Sequence, residues 1–334
     1  MSLLSINYNT TPPGPADKDS ETQAFAVIRY GADSSRIALT SDGLLDIDVA
    51  MPVLGAQQHA FEVWHSDRPM QQEQAGPLQL LHNGIFMFGA LQVDESEGLE
   101  QATQKAYTLI LEHLSKRGYP YPLRVWNYLP DIVGFEHGVE RYQLFCTGRH
   151  TALATEPDYE TRLPAASALG TTGAGFVIYF IAAHEPPLQI ENPLQVSAFH
   201  YPPCYSPRSP SFSRATVKHW PDSTQFYLSG TASIRGHESQ GTDDIQSQLQ
   251  LTLDNIEHLL THARQQCPTL GDKLDNLALL KIYLRRADDY ALVRDHIQQR
   301  FDNDTYPLLY LQADICRKEL LIEIEGWSIF DSAR

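Results

Sequence analysis

A strand-like run, a long amphipathic segment, a second strand-like run and a shorter helix occur twice in this chain, in the same order. That repetition restricts its folds more than any other feature. In the first copy "GIFMFGALQV" (84–93) reads as a strand and the acidic "DESEGLE" (94–100) as a linker. In "QATQKAYTLILEHLSKRG" (101–118), Ala102, Ala106, Leu109, Ile110 and Leu114 share one helical face, and Gly118 and Pro120 stop the helix. "PLRVWNYLPDI" (122–132) returns as a strand and "GVERYQLFCTGRHTAL" (138–153) begins as a helix. The second copy runs through the strand "QFYLSGTASI", the loop "RGHESQGTDD" and the helix "DIQSQLQLTLDNIEHLLTHA", whose Ile245, Leu249, Leu253, Ile256 and Leu260 form a stripe. "NLALLKIYLRRADD" then supplies the returning strand and "YALVRDHIQQRF" the following helix. The terminal "LLYLQADICRKELLIEIEG" (308–326) reads as a hairpin or two nearly adjacent strands around "RKE". The expected fold class is therefore α+β, two units from an internal duplication with mixed sheets packed by long helices and any site at their junction. Residues 1–22 read as a loose arm, 23–155 as an N-terminal α+β domain, and 156–334 as a C-terminal domain.

A formal net charge of −16 argues against nucleic acid or an anionic membrane as partner, since both demand a basic face. An anionic ligand would require the few arginines to gather locally. Cys146, Cys204, Cys267 and Cys316 form no C-x-x-C pair, and no signal peptide is evident, so a reducing cytoplasm is expected. No apolar run approaches the ~20 residues of a membrane helix. His184 and His237 each precede a glutamate without a second histidine at helical spacing, so no metal site is read. "GTTGAGF" (170–176) leads into the strand-like "FVIYFIAA" rather than a helix, which favours close strand packing over phosphate binding.

Four clusters could carry chemistry. In "ICRKELLIEIEG" (315–326), Glu323 and Glu325 share one strand face while Ile322 and Ile324 share the other. Such a face is usually solvated, but it can also hold an acid in a pocket. "ERYQLFCTGRH" (140–150) carries Arg141 and Arg149; arginines near helix ends usually cap or form ion pairs. "FHYPPCYSPRSPSFSRA" (199–215) is a stiff, hydrogen-bond-rich loop, either a connector or a ligand clamp, with arginines able to grip carboxylates by a bidentate fork. "SGTASIRGHES" (229–239) ends a strand with small residues that admit either a ligand or a packed helix.

Taken together, "YLSGTASIRGHESQGTDDIQSQLQLTLDNIEHLL", "CYSPRSPSFSRA", "RYQLFCTGRH" and "CRKELLIEIEG" resemble the chorismatase family. The resemblance runs in order through most of the chain and is firmest from Glu140 to Gly326. The C-terminal unit also resembles the RidA/YjgF (chorismate mutase-like) fold, a catalytic domain in this context, whose last strand often ends in a similar V-E-I-E. The resemblance implies removal of pyruvate from chorismate, with Glu323 as the acid–base residue. It also implies that Cys316 belongs to the branch releasing a hydroxybenzoate and that Gly230 sits where that branch keeps a small residue. The bifunctional members, which yield 3- and 4-hydroxybenzoate for aryl-polyene pigment and ubiquinone synthesis, are the most similar.

The chemistry suits these residue types. The enol ether of chorismate is inert until its methylene carbon is protonated, and a carboxyl near pH 7 can do this only if burial or negative charge has raised its pKa. The substrate's neighbouring hydroxyl can then displace pyruvate through an epoxide-like intermediate, with attack by water as the competing route. No metal or redox cofactor is required. Arg149, Arg208, Arg214 and Arg141 are the candidates for the two carboxylates, Tyr201 and Tyr205 for ordering the ring and pyruvyl group, and Thr231 for a further donor. Cys316 would steer ring opening; its alternative role is that of a small buried hydrophobe. Other readings are a RidA-like module that binds a small carboxylate without turnover, an imine deaminase, or a mutase-like isomerase. Either a monomer or a trimer is compatible with the chain.

Overall fold

The computed structural model describes residues 4–12, 22–203, 205–271, 273–274, 277–300 and 307–331. The chain opens with β1 (Leu4–Asn9), β2 (Gln23–Tyr30), β3 (Arg36–Leu39), β4 (Leu45–Val49) and β5 (Ala60–Ser66), a five-stranded sheet in the order β1-β5-β2-β4-β3. The arm expected over residues 1–22 is thus corrected in part: Leu4 and Ile6 alternate inward, and β1 pairs antiparallel with β5 from Leu4↔Ser66 to Asn9↔Phe61. Residues 13–21, Cys204 and the end of the sequence lie outside the described residues.

The first repeat contains β6 (Gln71–Ala75), β7 (Leu78–His82), β8 (Phe86–Val93), α1 (Leu99–Arg117) and β9 (Tyr121–Pro130). It continues with the small hairpin β10 (Phe135–Glu136) and β11 (Val139–Glu140), then α2 (Arg141–Leu153), β12 (Ala165–Thr171) and β13 (Phe176–Ala183). Gly118, left-handed at φ 79°, ends α1, with its N–H donating to Ser115 and that of Tyr119 to Leu114. The second repeat contains β14 (Leu188–Ile190), β15 (Ala215–His219), β16 (Ser223–Thr231), the hairpin β17 (Ile234–Arg235) and β18 (Glu238–Ser239), and α3 (Ile245–Gln266). It closes with β19 (Leu279–Leu284), α4 (Tyr290–Gln298), β20 (Leu308–Gln312), β21 (Asp314–Ile315) and β22 (Ile322–Asp331). Asp244 caps α3, accepting from the backbone N–H groups of Gln246 and Ser247.

Sheet order demonstrates the duplication. The seven-stranded sheet runs β21-β12-β9-β13-β8-β7-β6 and the six-stranded sheet β20-β19-β22-β16-β15-β14. Setting β21 aside, each strand occupies the same place in both, and the pairings agree. The outer β12–β9 and β19–β20 pairs are parallel, whereas the long last strand of each unit pairs antiparallel on both sides. Two expectations are corrected here. The first unit's sheet closes at Ala183, so a division near residue 155 cuts through it. Of the two readings of the terminal segment the hairpin is the one corrected: β20 and β22 are nearly adjacent strands with β19 between them, while β21 crosses to pair with β12. From the central place of β22, Ile322 and Ile324 pack beneath the apolar stripe of α3.

Helices cover one face of each large sheet. Leu249, Leu253, Ile256 and Leu260 of α3 pack against Phe226, Leu228, Ile282, Ile322 and Ile324, each such side chain contributing about 1.5–3 kcal/mol of burial. The opposite faces of all three sheets share one core, which includes Tyr30 and Trp64, Trp126, Tyr128 and Tyr179, and Tyr227, Tyr283 and Trp327. Among the described residues no helix is long and apolar enough to cross a membrane.

Candidate functional site

The two large sheets approach each other most closely at β12 and β16, both flanked by strands of their own sheets. The Ala166 N–H donates to Ser229 Oγ (2.9 Å), and the β16–β22 register shifts between Leu228 and Thr231, around Gly230. Beside this seam lies a cavity of about 180 Å³, walled by α2, β12, the proline-rich loop, the end of β16 and the segment from Cys316 to Glu323. It is therefore built from both repeats, as expected of a junction. Gly230 meets the requirement for a small residue by contact: a methyl group there would lie 1.8 Å from Glu323 Oε1.

The two glutamates of β22 both point inward, and neither faces water. Glu323, 5% exposed, lines the cavity; Glu325, 2% exposed, lies beneath its floor. Four donors converge on the Glu325 carboxylate: Arg124 Nη2 (2.7 Å) and Ser167 Oγ (2.5 Å) on Oε2, Trp126 Nε1 (2.8 Å) and Lys281 Nζ (2.8 Å) on Oε1. Burial opposes the charge, but Lys281 and Arg124 outweigh it and hold the Glu325 pKa at about 2. Among the described residues no side chain or backbone group makes a hydrogen bond to the Glu323 carboxyl. Burial, and secondarily the charge of Glu325, push its pKa up to about 8 against the opposing pull of Arg124 and Arg214. Two identical side chains on one strand face thus hold opposite protonation states at neutral pH, the separation that marks an acid and its electrostatic neighbour.

Arg149, Arg214, Tyr201, Tyr205, Gly230 and Cys316 join Glu323 around the cavity. Arg149, 3% exposed, stacks on Tyr107 at 5.0 Å, and its Nε and Nη2 find no partner among the described residues. Arg214, 4% exposed, donates through Nη2 to Val196 O and Tyr201 Oη (2.6 Å), leaving Nε without a partner among the described residues. Buried guanidinium nitrogens without acceptors are costly, and an incoming carboxylate would satisfy them. Burial pushes the thiols of Cys316 and Cys146 up to about 12, the nearby Glu323 also raising Cys316, so both are neutral near pH 7.

Three candidates lie elsewhere. Arg141 pairs with Glu95 (2.7 Å) and Glu136 (2.8 Å), tying α2 to the loop after β8 and to β10. Arg208 is exposed on the outer side of the proline-rich loop, and Thr231 turns its hydroxyl to Ser229 O (3.0 Å), away from the cavity. Residues unflagged in the sequence complete the walls. Arg317 Cζ lies 3.8 Å from the Tyr205 ring centroid, and its Nη1 donates to His237 O (2.9 Å) and Ser239 Oγ (3.1 Å). Ser211 has a buried hydroxyl with no partner among the described residues, and Ser167 bridges Gly230, Arg124 and Glu325. The "CRKE" motif could have flagged Arg317, but Ser167, in the bland strand "AASALGT", carried no signal. Among the described residues no three or more His, Cys, Asp or Glu side chains gather as a metal site.

The family model described as "Chorismatase FkbO/Hyg5-like, N-terminal" matches residues 62–182. A 3-hydroxybenzoate synthase of Streptomyces hygroscopicus is 34% identical over 292 residues, 85% of either chain. The chain belongs to the chorismatase family. A second relative from the same organism, named a chorismatase, is 33% identical over 322 residues, 94% of this chain and 91% of the relative. A chorismatase crystal structure superposes with a TM-score of 0.89 at 30% identity, covering 97% of this chain and 98% of the other. The chorismatase N-terminal match ends one residue before β13 does, where the first repeat is complete.

Proposed function

We propose that this cavity binds chorismate and releases pyruvate and 3-hydroxybenzoate, with Glu323 as the acid. The observation that carries this reading is the buried, neutral Glu323 facing unpartnered Arg149 and Arg214 nitrogens across one cavity. The 3-hydroxybenzoate product is supported by the relative that bears that name.

Arg149 and Arg214 receive the two substrate carboxylates, whose charge strengthens the grip of Glu323 on its proton until the enol ether is in place. Glu323 then adds that proton to the enolpyruvyl methylene carbon, leaving an oxocarbenium centre. The adjacent ring hydroxyl forms a new bond to the ring carbon bearing the pyruvyl oxygen. That carbon–oxygen bond breaks with its electron pair going to pyruvate, and the hydroxyl proton returns to the Glu323 carboxylate. Opening of the epoxide and loss of a ring proton restore aromaticity. Atoms balance without water, since the two products sum to chorismate. Cys316, held as a neutral thiol, acts as a donor and packing surface that steers the opening, not as a nucleophile. Tyr201 and Tyr205, the latter backed by Arg317, provide the apolar wall against the ring.

Purified protein is mixed with chorismate, pyruvate is followed by a coupled assay, and the aromatic product is identified by chromatography. Stoichiometric pyruvate and 3-hydroxybenzoate are expected, and the share of 4-hydroxybenzoate tests the bifunctional resemblance. Absence of pyruvate would leave a carboxylate-binding module. Turnover retained in Glu323→Gln would remove the assigned acid, and an unchanged rate and product ratio in Cys316→Ala would remove the steering role.

A further inference from the structure

We infer that Glu325 is a positioning residue for the reaction: a carboxylate clamped by four donors below the cavity floor, whose charge adds to burial in keeping the proton on Glu323. This rests on the proposed role of Glu323 as acid. Two residues along a strand are about 6.5–7 Å apart on the same face, close enough for one buried charge to act on the other carboxyl. The four donors on Glu325 occupy both oxygens, so it has no room for a proton of its own.

The clamp spans all three sheets. Lys281 on β19, opposite Glu325 in register, also binds Glu62 of β5 at 2.8 Å and the Tyr30 hydroxyl at 3.1 Å. Glu62 accepts in turn from Trp64 Nε1 at 2.8 Å. Burial works against the Lys281 ammonium, but Glu325 and Glu62 more than offset it and hold its pKa well above the ordinary lysine value. Arg124 on β9 completes a neutral set of two cations and two anions.

The groups nearest in effect to Glu323 are Glu325 from its own strand, Arg124 from β9 and Arg214 from the loop before β15, with Tyr283 opposite it on β19 and Cys316 from the segment before β22; Arg149 and Glu140 from the α2 side and Arg317, Lys318 and Glu319 before β22 line the same cavity. Among the charges that act appreciably on Glu323, Glu325 is the one anion, and Arg124 and Arg214 favour ionisation of Glu323. The clamp also reaches the acid mechanically. Ser167 Oγ donates to Glu325 and accepts from the Gly230 N–H at 3.0 Å, and Gly230 is the backbone against which Glu323 lies.

The test is the alkaline limb of kcat/KM against pH, together with a carboxylic-acid infrared band assigned to Glu323 by its loss in Glu323→Gln. In the wild-type protein that band should persist to about pH 8. In Glu325→Gln both the limb and the band should move down by about one to two pH units, while Glu325→Asp, which keeps the charge, should restore them. Because Glu325→Gln strands the Lys281 ammonium, the same titrations are run on Glu325→Gln/Lys281→Met, which removes one charge of each sign. Activity lowered equally at every pH, with limb and band unmoved in the variants that fold, would overturn the inference. So would a wild-type band already lost below pH 6, a result that needs no folded variant. The infrared titration is read without turnover, so failure of chorismate cleavage and failure of this inference remain distinguishable.

Discussion

At the scale of single residues, Glu323 and Glu325 show that protonation state belongs to the environment and not to the side chain. Glu323 has a folded pKa of about 8, above the 4.5 of the free acid, so its contribution to stability is fully present below the lower value and is lost as pH rises through the upper. Glutamine carries no such dependence. Glu323→Gln should therefore abolish pyruvate release yet be more stable than wild type near pH 8, by on the order of 2–4 kcal/mol, with the gap closing near pH 4 in paired urea titrations. Equal stability at both pH values would show that Glu323 is not held neutral. Glu325 has the opposite sign: its contribution is present above the free-acid value and falls only toward about pH 2. Gly230→Ala places a methyl group 1.8 Å from Glu323 Oε1. We expect a fall in kcat of at least about tenfold with a cooperative unfolding transition retained, since about an ångström of misplacement in a proton donor is costly.

At the scale of elements, α2 separates two arginines that a sequence pattern treats alike. Arg141 and Arg149 are eight residues apart, which turns them only about 80° around a helix. Composition and spacing could not say which one meets a ligand, because that depends on what stands opposite each. Glu95 and Glu136 face Arg141, whereas Tyr107 and the cavity face Arg149. Arg141→Ala should lower stability by about 1–2 kcal/mol and leave KM unchanged. Arg149→Ala should raise KM by about tenfold or more with little change in Tm, since it removes a charge-assisted bond to substrate. Steady-state kinetics and thermal melts on the two variants check the contrast. The loop 199–215 divides in the same way: Tyr201, Tyr205 and Arg214 turn inward while Arg208 turns out. Its prolines announce stiffness, but not which side of the loop is covered.

Across the whole molecule, Glu62, Lys281, Glu325 and Arg124 join three sheets through residues far apart in sequence. Removing one member of a buried ion pair strands its partner, so Lys281→Met should cost about 3–5 kcal/mol in urea unfolding. Glu62→Gln/Lys281→Met should cost less than the sum of the two single changes, because the pair is coupled. A strictly additive result would deny that Lys281 bridges the sheets. Local periodicity by itself marked the strands that flank the two long helices, those helices, the α+β class and the duplication, because strand alternation and helical stripes are written in neighbouring residues. The motif pattern likewise marked Glu323, Cys316, Gly230, Arg149 and Arg214. Tertiary structure alone decided that β1 joins a sheet, that β19 separates β20 from β22, and that Arg141, Arg208 and Thr231 stay out of the cavity. It also decided that, of two glutamates two residues apart, one is buried with its pKa raised and the other is clamped by two cations with its pKa lowered. The physical reason is that burial and charge pairing are set by distant chain segments brought within a few ångströms, and no local pattern records which segments those will be.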